Sequence, residues 1–203
     1  MNGVLDFSNI DINPIKQFST WFEEAKKTNT INYPDAFCLS TLDPEGFPNG
    51  RMLLLKELSE QGFSFYTNSN SQKGRSLANY PKASMTFYWD TLRRQVRIQG
   101  DVEKLSEKIS DEYFYSRARA SQIGAWASNQ SEILASRKEL EDKVSFFEEK
   151  FTKEELTRPS HWNGYILHPK RIEFWQERPA RLHDRLVFHK LLDNQWNLQR
   201  LSP

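Results

Sequence analysis

The sequence lacks the features that mark several common classes of protein. Its single cysteine, Cys38, excludes an internal disulfide framework and a multi-cysteine zinc site. No apolar run reaches membrane-spanning length, and the N-terminus has no basic start followed by an apolar stretch, as a secretory signal would. Lys and Arg total 28 against 27 for Asp and Glu, so we expect neither nucleic acid nor a membrane as partner. These absences predict a cytoplasmic protein.

Several familiar ligand and catalytic motifs are also missing. There is no Walker-type loop and no G-x-G-x-x-G, so side chains on strands and helix ends would have to hold any phosphorylated ligand. His183, Asp184 and His189 match no recognised pattern of metal ligands, and we expect no metal. No nucleophile elbow accompanies His183, which argues against a serine triad.

Aromatic residues, in contrast, are plentiful. The chain has 6 Trp, 7 Tyr and 14 Phe, which suits a large interface or a flat ligand and equally an ordinary core. Its 203 residues are enough for one domain with a substantial core, and we expect a single domain over residues 1–203.

The hydrophobic pattern predicts strands interrupted by helices. "NPIKQFSTWFEEAKK" predicts a first helix capped by Asn13, and strand-like segments such as "GRMLLLKEL" then follow as hairpins. Helical periodicity occupies about 106–151, with a break between "SEKISDEYFYSRA" and "SQIGAWAS" and an amphipathic helix over 131–151. Strands return over about 162–203, with "WNGYILH" and "RIEFWQE" as separate strands. This order favours a closed or nearly closed antiparallel barrel with helices outside, and disfavours a doubly wound sheet. The apolar face of that amphipathic helix comprises Ile133, Leu134, Leu140, Val144, Phe147 and Phe151.

Basic residues near strand and helix ends are candidates for anion binding. Arg51 and Lys56 lie five positions apart in "GRMLLLK" and would face opposite sides of an ideal strand, so they could address two anions or be surface charges. "YTNSNSQKGRS" opens a predicted short helix, where Lys73 could help to bind an anion; an ordinary N-cap is the alternative.

A third candidate lies in the helical region. Tyr113, Arg117 and Ser121 are spaced four apart, so on one helix they would line one face. Hydroxyl and guanidinium donors together suit a phosphate, although a polar solvent-facing surface is an equal alternative.

The segment "RIEFWQERPARLHDR", residues 171–185, begins as a buried strand and ends in ionisable residues. Trp175 offers an aromatic face, and Arg181, His183 and Arg185 offer donors, a combination that suits a planar, electron-rich ring. If the strand continued, these three would share one face, and Asp184 would point away towards a nearby cation.

This segment closely resembles the C-terminal signature of the pyridoxamine 5′-phosphate oxidase family. "RMLLLK", "FYTN", "RRQVRIQG", "YFYSRARASQIGAWAS" and "WNLQRLSP" follow the family's order and approximate spacing. The resemblance implies an α+β fold, a split antiparallel β-barrel homodimer with FMN between subunits. It also implies oxidation of pyridoxamine and pyridoxine 5′-phosphate to pyridoxal 5′-phosphate by O2, with H2O2 as product and NH3 released from the amine.

The resemblance also implies the site residues. FMN contacts would be Arg51, Met52, Leu53, Leu54, Leu55, Lys56, Tyr66, Thr67, Gln72, Lys73, Gln95, Gln130, Ser131, Trp175 and Arg185. Substrate contacts would be Lys56, Tyr113, Arg117 and Ser121 at the phosphate, with Arg181, Leu182 and His183 at the pyridine ring. Arg181 and His183 would be catalytic, with His183 a possible proton acceptor. Gln130, Ser131, Trp175 and Arg185 would come from a different chain than Arg51 and Lys56.

The sequence departs from the family pattern at two positions. Gln72 stands where the family often has arginine, which removes one cation from the expected FMN-phosphate site, and Ala118 stands where proline is usual. Two other activities remain open at this point: a split-barrel reductase that uses a nicotinamide or deazaflavin donor, and a non-catalytic flavin or B6-phosphate carrier.

Overall fold

A computed structural model describes residues 4–203. Its helices are α1 Pro14–Lys27, α2 Gln72–Asn79, α3 Glu107–Ser116, α4 Arg119–Ala127 and α5 Arg137–Lys153. Its strands are β1 Ala36–Leu42, β2 Pro48–Leu54, β3 Glu57–Ser59, β4 Gly62–Asn68, β5 Lys82–Trp89, β6 Arg94–Lys104, β7 Trp162–Gln176, β8 Asp184–Lys190 and β9 Trp196–Arg200. Within these residues no helix is both long and apolar enough to cross a membrane.

The strands form one curled antiparallel sheet, as hairpin connections require. Its order is β2-β1-β5-β6-β7-β4-β3, and β8 and β9 continue from β7. The long strand β7 is central: its first half pairs with β4, its second half with β8, and β6 follows both halves. The α+β class and the split-barrel architecture predicted from the sequence are confirmed.

Much of the aromatic content forms the core between this sheet and α1. The ring of Phe18, fully buried on α1, meets Phe63 edge-on at 4.9 Å and lies 5.0 Å from Phe87. The predicted N-cap is confirmed, because the Asn13 side chain accepts hydrogen bonds from the first-turn amides of α1. Each buried Phe stabilises the fold by about 1.5–3 kcal/mol, so α1 is held firmly against the sheet.

The predicted helix over 131–151 is wrong at its start. Helix α5 begins at Arg137, and Ser136 caps it by accepting a hydrogen bond from the Glu139 amide. Ser136 and Glu139 have capping-box spacing, which sets a helix start that apolar periodicity does not detect. Ile133 and Leu134 therefore lie in the preceding loop, and Ile133 is fully exposed.

Two predicted strand boundaries also differ from the structure. The predicted strand "GRMLLLKEL" breaks between Leu54, the end of β2, and Glu57, the start of β3. The segments "WNGYILH" and "RIEFWQE" were predicted as separate strands but form the single strand β7. It absorbs an irregularity opposite Gln99 and Gly100 and then continues.

Candidate active site

Twelve of the predicted site residues meet in one cleft of about 550 Å³. The cleft lies beside the ends of β2 and β4, the start of α2 and the junction of α3 with α4. The predicted residues that line it are Arg51, Met52, Leu53, Leu54, Lys56, Tyr66, Thr67, Lys73, Tyr113, Arg117, Ser121 and Gln130. The same cavity therefore contains all three sets of anion-binding candidates. These are Arg51 and Lys56, Lys73, and the set of Tyr113, Arg117 and Ser121.

The cleft is strongly basic. Four of its lining residues are Arg or Lys, and none of the described lining residues is acidic. Burial, and then the charge of Arg51, lower the pKa of Lys73 from 10.5 to about 8. Burial likewise lowers the pKa of Arg51, whose Nη1 donates to the Leu39 carbonyl and to Thr41 Oγ1. Two half-buried cations whose charged states are disfavoured by burial are a ready binding site for an anion.

Local sequence explains why Lys73 lies in the cleft. Ser71 caps α2, and Lys73 is the second residue of that helix, where unpaired backbone amides favour an anion. Gly74 is required here, because a Cβ atom at this position would lie 2.3 Å from the Ser69 carbonyl oxygen. Lys73 Nζ donates to Gln130 Oε1 at 2.7 Å, which orients it across the cleft.

The rings of Tyr66, Tyr113 and Trp162 form an aromatic wall of the cleft. The rings of Tyr66 and Tyr113 stack at 4.0 Å, and Tyr66 also stacks on Trp162 at 5.2 Å. Gly164 makes room for this wall, because a Cβ there would lie 2.7 Å from Tyr66 Cε1. Burial raises the pKa of Tyr66 to about 12, so its hydroxyl is a neutral donor at physiological pH. Trp162 is a lining residue that the sequence analysis missed.

The guanidinium of Arg117 lies against this wall, 4.6 Å from the Trp162 ring. Its Nη1 is buried and has no hydrogen-bond partner among residues 4–203, and burial lowers the pKa of the Arg117 guanidinium. The prediction that Tyr113, Arg117 and Ser121 share one helical face is wrong. Helix α3 ends at Ser116 and α4 begins at Arg119, with Arg117 extended between them. All three nevertheless line the cleft, because the turn redirects the chain around it.

The prediction for Arg51 and Lys56 also needs correction. Because β2 ends at Leu54, strand alternation does not extend to Lys56, and both cations line the same cleft. The Lys56 ammonium lies 3.7 Å from Asp35, a loose ion pair that leaves it available to a ligand.

A second cluster lies at the far end of β7. Gln95 pairs with Trp175 across β6 and β7, and Trp175 pairs with Arg185 across β7 and β8. The His183 ring lies 4.6 Å from Trp175. None of these residues lines the cleft. From Trp162 to Trp175 the strand rises by roughly 40 Å if straight, at about 3.3 Å per residue.

The charged end of the 171–185 segment is not a continuous strand. Strand β7 ends at Gln176, residues 179–181 form a 3₁₀ turn, and Ala180 and Arg181 have positive φ values of 56° and 62°. Arg181 and Leu182 are therefore exposed on a loop instead of sharing a strand face with Arg185. The predicted partner of Asp184 is confirmed, since its carboxylate accepts from Arg178 Nε at 2.5 Å.

The loop also settles the orientation of His183. Its Nδ1 accepts a hydrogen bond from the Arg178 amide at 3.1 Å, so the neutral ring carries its proton on Nε2. In this geometry Nε2 is a hydrogen-bond donor, which argues against the suggested role as proton acceptor.

The remaining predicted residues lie outside the cleft. Leu55 is buried in the core, and Gln72 is exposed at the first position of α2. Ser131 is exposed, has a positive φ of 72° and lines a smaller neighbouring cavity. The family resemblance implies that Gln130 and Lys56 reach the site from different chains. In this structure Gln130 contacts Lys73 of its own protomer.

Two protein-family models match this chain. Residues 23–150 match the family model described as pyridoxamine 5′-phosphate oxidase, and residues 162–203 match that of the pyridoxine 5′-phosphate oxidase C-terminal dimerisation region. The chain belongs to the pyridoxamine 5′-phosphate oxidase family. The second cluster, which contains Trp175 and Arg185, lies within the residues that match the family's dimerisation region.

Individual relatives agree with this placement. The pyridoxine/pyridoxamine 5′-phosphate oxidase of Trichormus variabilis is 51% identical over 194 residues, covering 96% of this chain and 90% of the relative. PhzG from Burkholderia lata, solved with tetrahydrophenazine-1-carboxylic acid, superposes with a TM-score of 0.90 at 29% identity over 98% of each chain. An FMN-binding protein of this family from Nostoc punctiforme shares the fold, with a TM-score of 0.74 at 16% identity over 96% of this chain and 100% of the other.

Proposed function

We propose that this protein is an FMN-dependent oxidase that converts pyridoxamine and pyridoxine 5′-phosphate to pyridoxal 5′-phosphate. Oxygen accepts the electrons and leaves as H2O2; the amine substrate also consumes water and releases NH3. The observation that carries this proposal is a single cleft lined by four cations, in which the charge of Arg51 acts on Lys73 and Arg117 has a buried Nη1 with no hydrogen-bond partner among residues 4–203. We assign Arg51 and Lys73 to a first group and Arg117 and Lys56 to a second, since a cofactor phosphate and a substrate phosphate would each need such a group.

The first group fits the phosphate of FMN. Burial, and then the charge of Arg51, disfavour the charged state of Lys73, and the Thr67 hydroxyl shares the Gln130 Oε1 acceptor with Lys73. The start of α2 contributes its dipole. Gln72 is exposed and does not line the cleft, so the missing family arginine would have acted from the rim.

The second group fits the substrate phosphate. Arg117 Nη1 is a buried donor with no partner among the described residues, and such a donor costs about 1–3 kcal/mol unless a ligand satisfies it. Lys56, Tyr113 and Ser121 line the same cleft and supply an ammonium and two hydroxyls. A ligand without a phosphate would leave these donors unsatisfied, which favours a phosphorylated substrate.

We further infer that a second copy of the chain completes the site. The cluster of Gln95, Trp175 and Arg185 would cover the flavin, and Arg181, Leu182 and His183 would lie at the substrate ring. Family membership through the dimerisation region supports this arrangement, as does the separation of the two clusters along β7. The exposed edge strand β2, with Met52 65% exposed, supports an interface at this edge.

When bound, FMN would supply the redox chemistry, accepting hydride from C4′ of the substrate and passing electrons to oxygen. The chain's residues contribute position and charge. Clamping the phosphate fixes C4′ relative to the flavin site, and such orientation lowers barriers by several kcal/mol. The Nε2 proton of His183 would be donated to the amine or alcohol, holding it in one orientation beside Arg181.

One experiment tests this function directly. Purified protein is assayed for H2O2 production with pyridoxamine 5′-phosphate, and the released flavin is identified. We expect FMN and steady turnover. A flavoprotein that gives no peroxide would instead be a carrier, and one that turns over only with a nicotinamide or deazaflavin donor would be a reductase. Release of FAD, or a colourless protein that takes up no FMN, would overturn the cofactor assignment.

A further inference from the structure

Glu173 is a buried carboxylate on the sheet face opposite the core. Its neighbours on β7, Ile172 and Phe174, are fully buried in the core, so strand alternation directs Glu173 to the other face. It is nevertheless only 1% exposed. A charge buried to this extent requires partners.

Three arginines from three strands surround this carboxylate. Oε1 accepts a hydrogen bond from Arg185 Nε at 2.9 Å, and Nη2 of the same guanidinium lies 2.8 Å from this oxygen. Oε2 accepts from Arg171 Nη2 at 2.7 Å, and Arg97 Nη1 lies 3.7 Å away. Burial alone would raise the pKa of Glu173, but the hydrogen bonds from Arg171 and Arg185 hold it below its ordinary value. The carboxylate is therefore ionised at neutral pH.

The contact fixes the orientation of the Arg185 guanidinium. Oε1 of Glu173 accepts from Nε and lies beside Nη2, and the Ser202 carbonyl accepts from Nη1 at 2.9 Å. A guanidinium is planar and has five N–H donors, so these contacts fix its plane and set the directions of the donors that remain for a ligand. An arginine held through several of its nitrogens is restrained more strictly than one in a single ion pair.

We propose that Glu173 is the positioning residue for Arg185, holding its remaining donors towards the flavin. This inference rests on the proposed function, in which Arg185 contacts FMN. Glu173 itself does not touch the ligand and acts only through Arg185. Arg171 binds the other oxygen of the same carboxylate and supplies a matched control, because its loss removes an ion pair from Glu173 without touching Arg185.

The test is FMN affinity of the apo-protein, measured by quenching of FMN fluorescence. Glu173→Gln removes the charge and should weaken binding by about tenfold to a hundredfold, the scale of a charged hydrogen bond. Arg185→Gln should weaken it by a similar factor. The double variant should bind no worse than Arg185→Gln alone, because the two residues act as one unit. Arg171→Gln should change the affinity by less than about threefold, as expected for an ion pair away from the ligand.

The melting temperature of each unliganded variant distinguishes a loss of Arg185 positioning from a loss of folding stability. If Glu173→Gln does not fold, Glu173→Asp replaces it in the test, because Asp keeps the charge on a side chain that is shorter by one methylene. We expect this variant to melt at the wild-type temperature and still bind FMN more weakly. Wild-type affinity in either folded Glu173 variant would overturn the inference, as would additive losses in the double variant. An equal loss in Arg171→Gln would also overturn it. If the wild-type protein binds no FMN, the proposed function fails and the inference falls with it.

Discussion

The two arginines at the charged end of 171–185 differ in their surroundings. Arg185 is held on β8 by Glu173, whereas Arg181 is exposed on a loop with positive φ. Arg181→Ala should therefore leave FMN bound and lower kcat/KM by about tenfold to a thousandfold, since it removes a charged substrate contact. Arg185→Ala should instead reduce flavin content. Flavin content and activity per bound flavin are measured for each variant.

The reverse pattern would show that the two roles are wrong. If Arg181→Ala loses flavin and keeps full activity per flavin, Arg181 belongs to the cofactor site. If this segment only faces solvent, neither Arg181→Ala nor Arg185→Ala should change flavin content or activity per bound flavin. Asp184→Asn supplies a comparison, since Asp184 pairs with Arg178 and its loss should lower mainly the melting temperature.

His183 is predicted to act as a donor through Nε2. Because its Nδ1 accepts from the Arg178 amide, a glutamine amide at this position could reproduce the Nε2–H donor but could not act as a base. His183→Gln should therefore retain about two to ten times the kcat/KM of His183→Ala, the scale of one hydrogen bond between neutral groups. Equal losses in the two variants would support a proton-accepting histidine instead.

Lys73 gives the cleft a predicted pH dependence. Its pKa in the folded protein is about 8, below the ordinary 10.5, because of burial and Arg51. Between these values the unfolded chain binds more protons at Lys73, so this residue's contribution to the free energy of unfolding rises with pH. An FMN phosphate favours the charged form, so binding takes up a proton above pH 8. The Kd for FMN should rise from about pH 7 to pH 9, by at most about tenfold per pH unit.

The control for this pH effect is Lys73→Arg, which stays charged throughout this range. Its Kd for FMN should be nearly constant over the same interval. A wild-type affinity that is flat, or that improves with pH, would show that Lys73 does not hold the cofactor phosphate.

At the scale of elements, Gly164 on β7 leaves the space into which the Tyr66 ring of the aromatic wall packs. A Cβ at Gly164 would lie 2.7 Å from Tyr66 Cε1 and 2.9 Å from Leu105 Cδ1, so Gly164→Ala should destabilise the protein by about 1–3 kcal/mol. Gly124 on α4 has nothing within 4 Å of its Cβ position, and Gly124→Ala should be neutral or stabilising by up to about 1 kcal/mol. Urea unfolding without ligands measures both. Equal effects would show that Tyr66 gives way to the methyl group.

The element scale also shows what the sequence could predict. Alternation and turn residues located most strands, and Asn13 marked the start of α1, because these features are local. A break within this helical region is predicted, but its position at Arg117 is not, because both flanking segments have good helical periodicity and the turn depends on packing against Trp162. The convergence of Arg51, Lys56 and Lys73 depends on how the sheet curls, which no local pattern encodes. Glu173 was missed because one carboxylate in a strand carries no signal until its arginine partners are in place.

At the scale of the whole molecule, the proposed site is divided between two regions of the chain. The cleft carries the proposed phosphate-binding residues, and Trp175 and Arg185 lie at the other end of β7, in the region that matches the family's dimerisation region. If two copies share each site, the 24.0 kDa monomer should be inactive and the dimer active. Sedimentation combined with activity tests this, and a fully active monomer would contradict it.

Mixing two inactive variants tests the shared site more sharply. Lys73→Ala disables the cleft, and Arg181→Ala disables the substrate loop at the other end. In a mixed dimer, one site combines both defects, whereas the other combines the intact cleft of one chain with the intact loop of its partner. Co-expression at equal levels makes half of the dimers mixed, so activity should recover to about a quarter of wild type. Co-expression of Lys73→Ala with Arg117→Ala should recover nothing, because each site then carries one defective cleft. If the loop served the cleft of its own chain, the first mixture would also stay inactive, since each chain would carry its own defect.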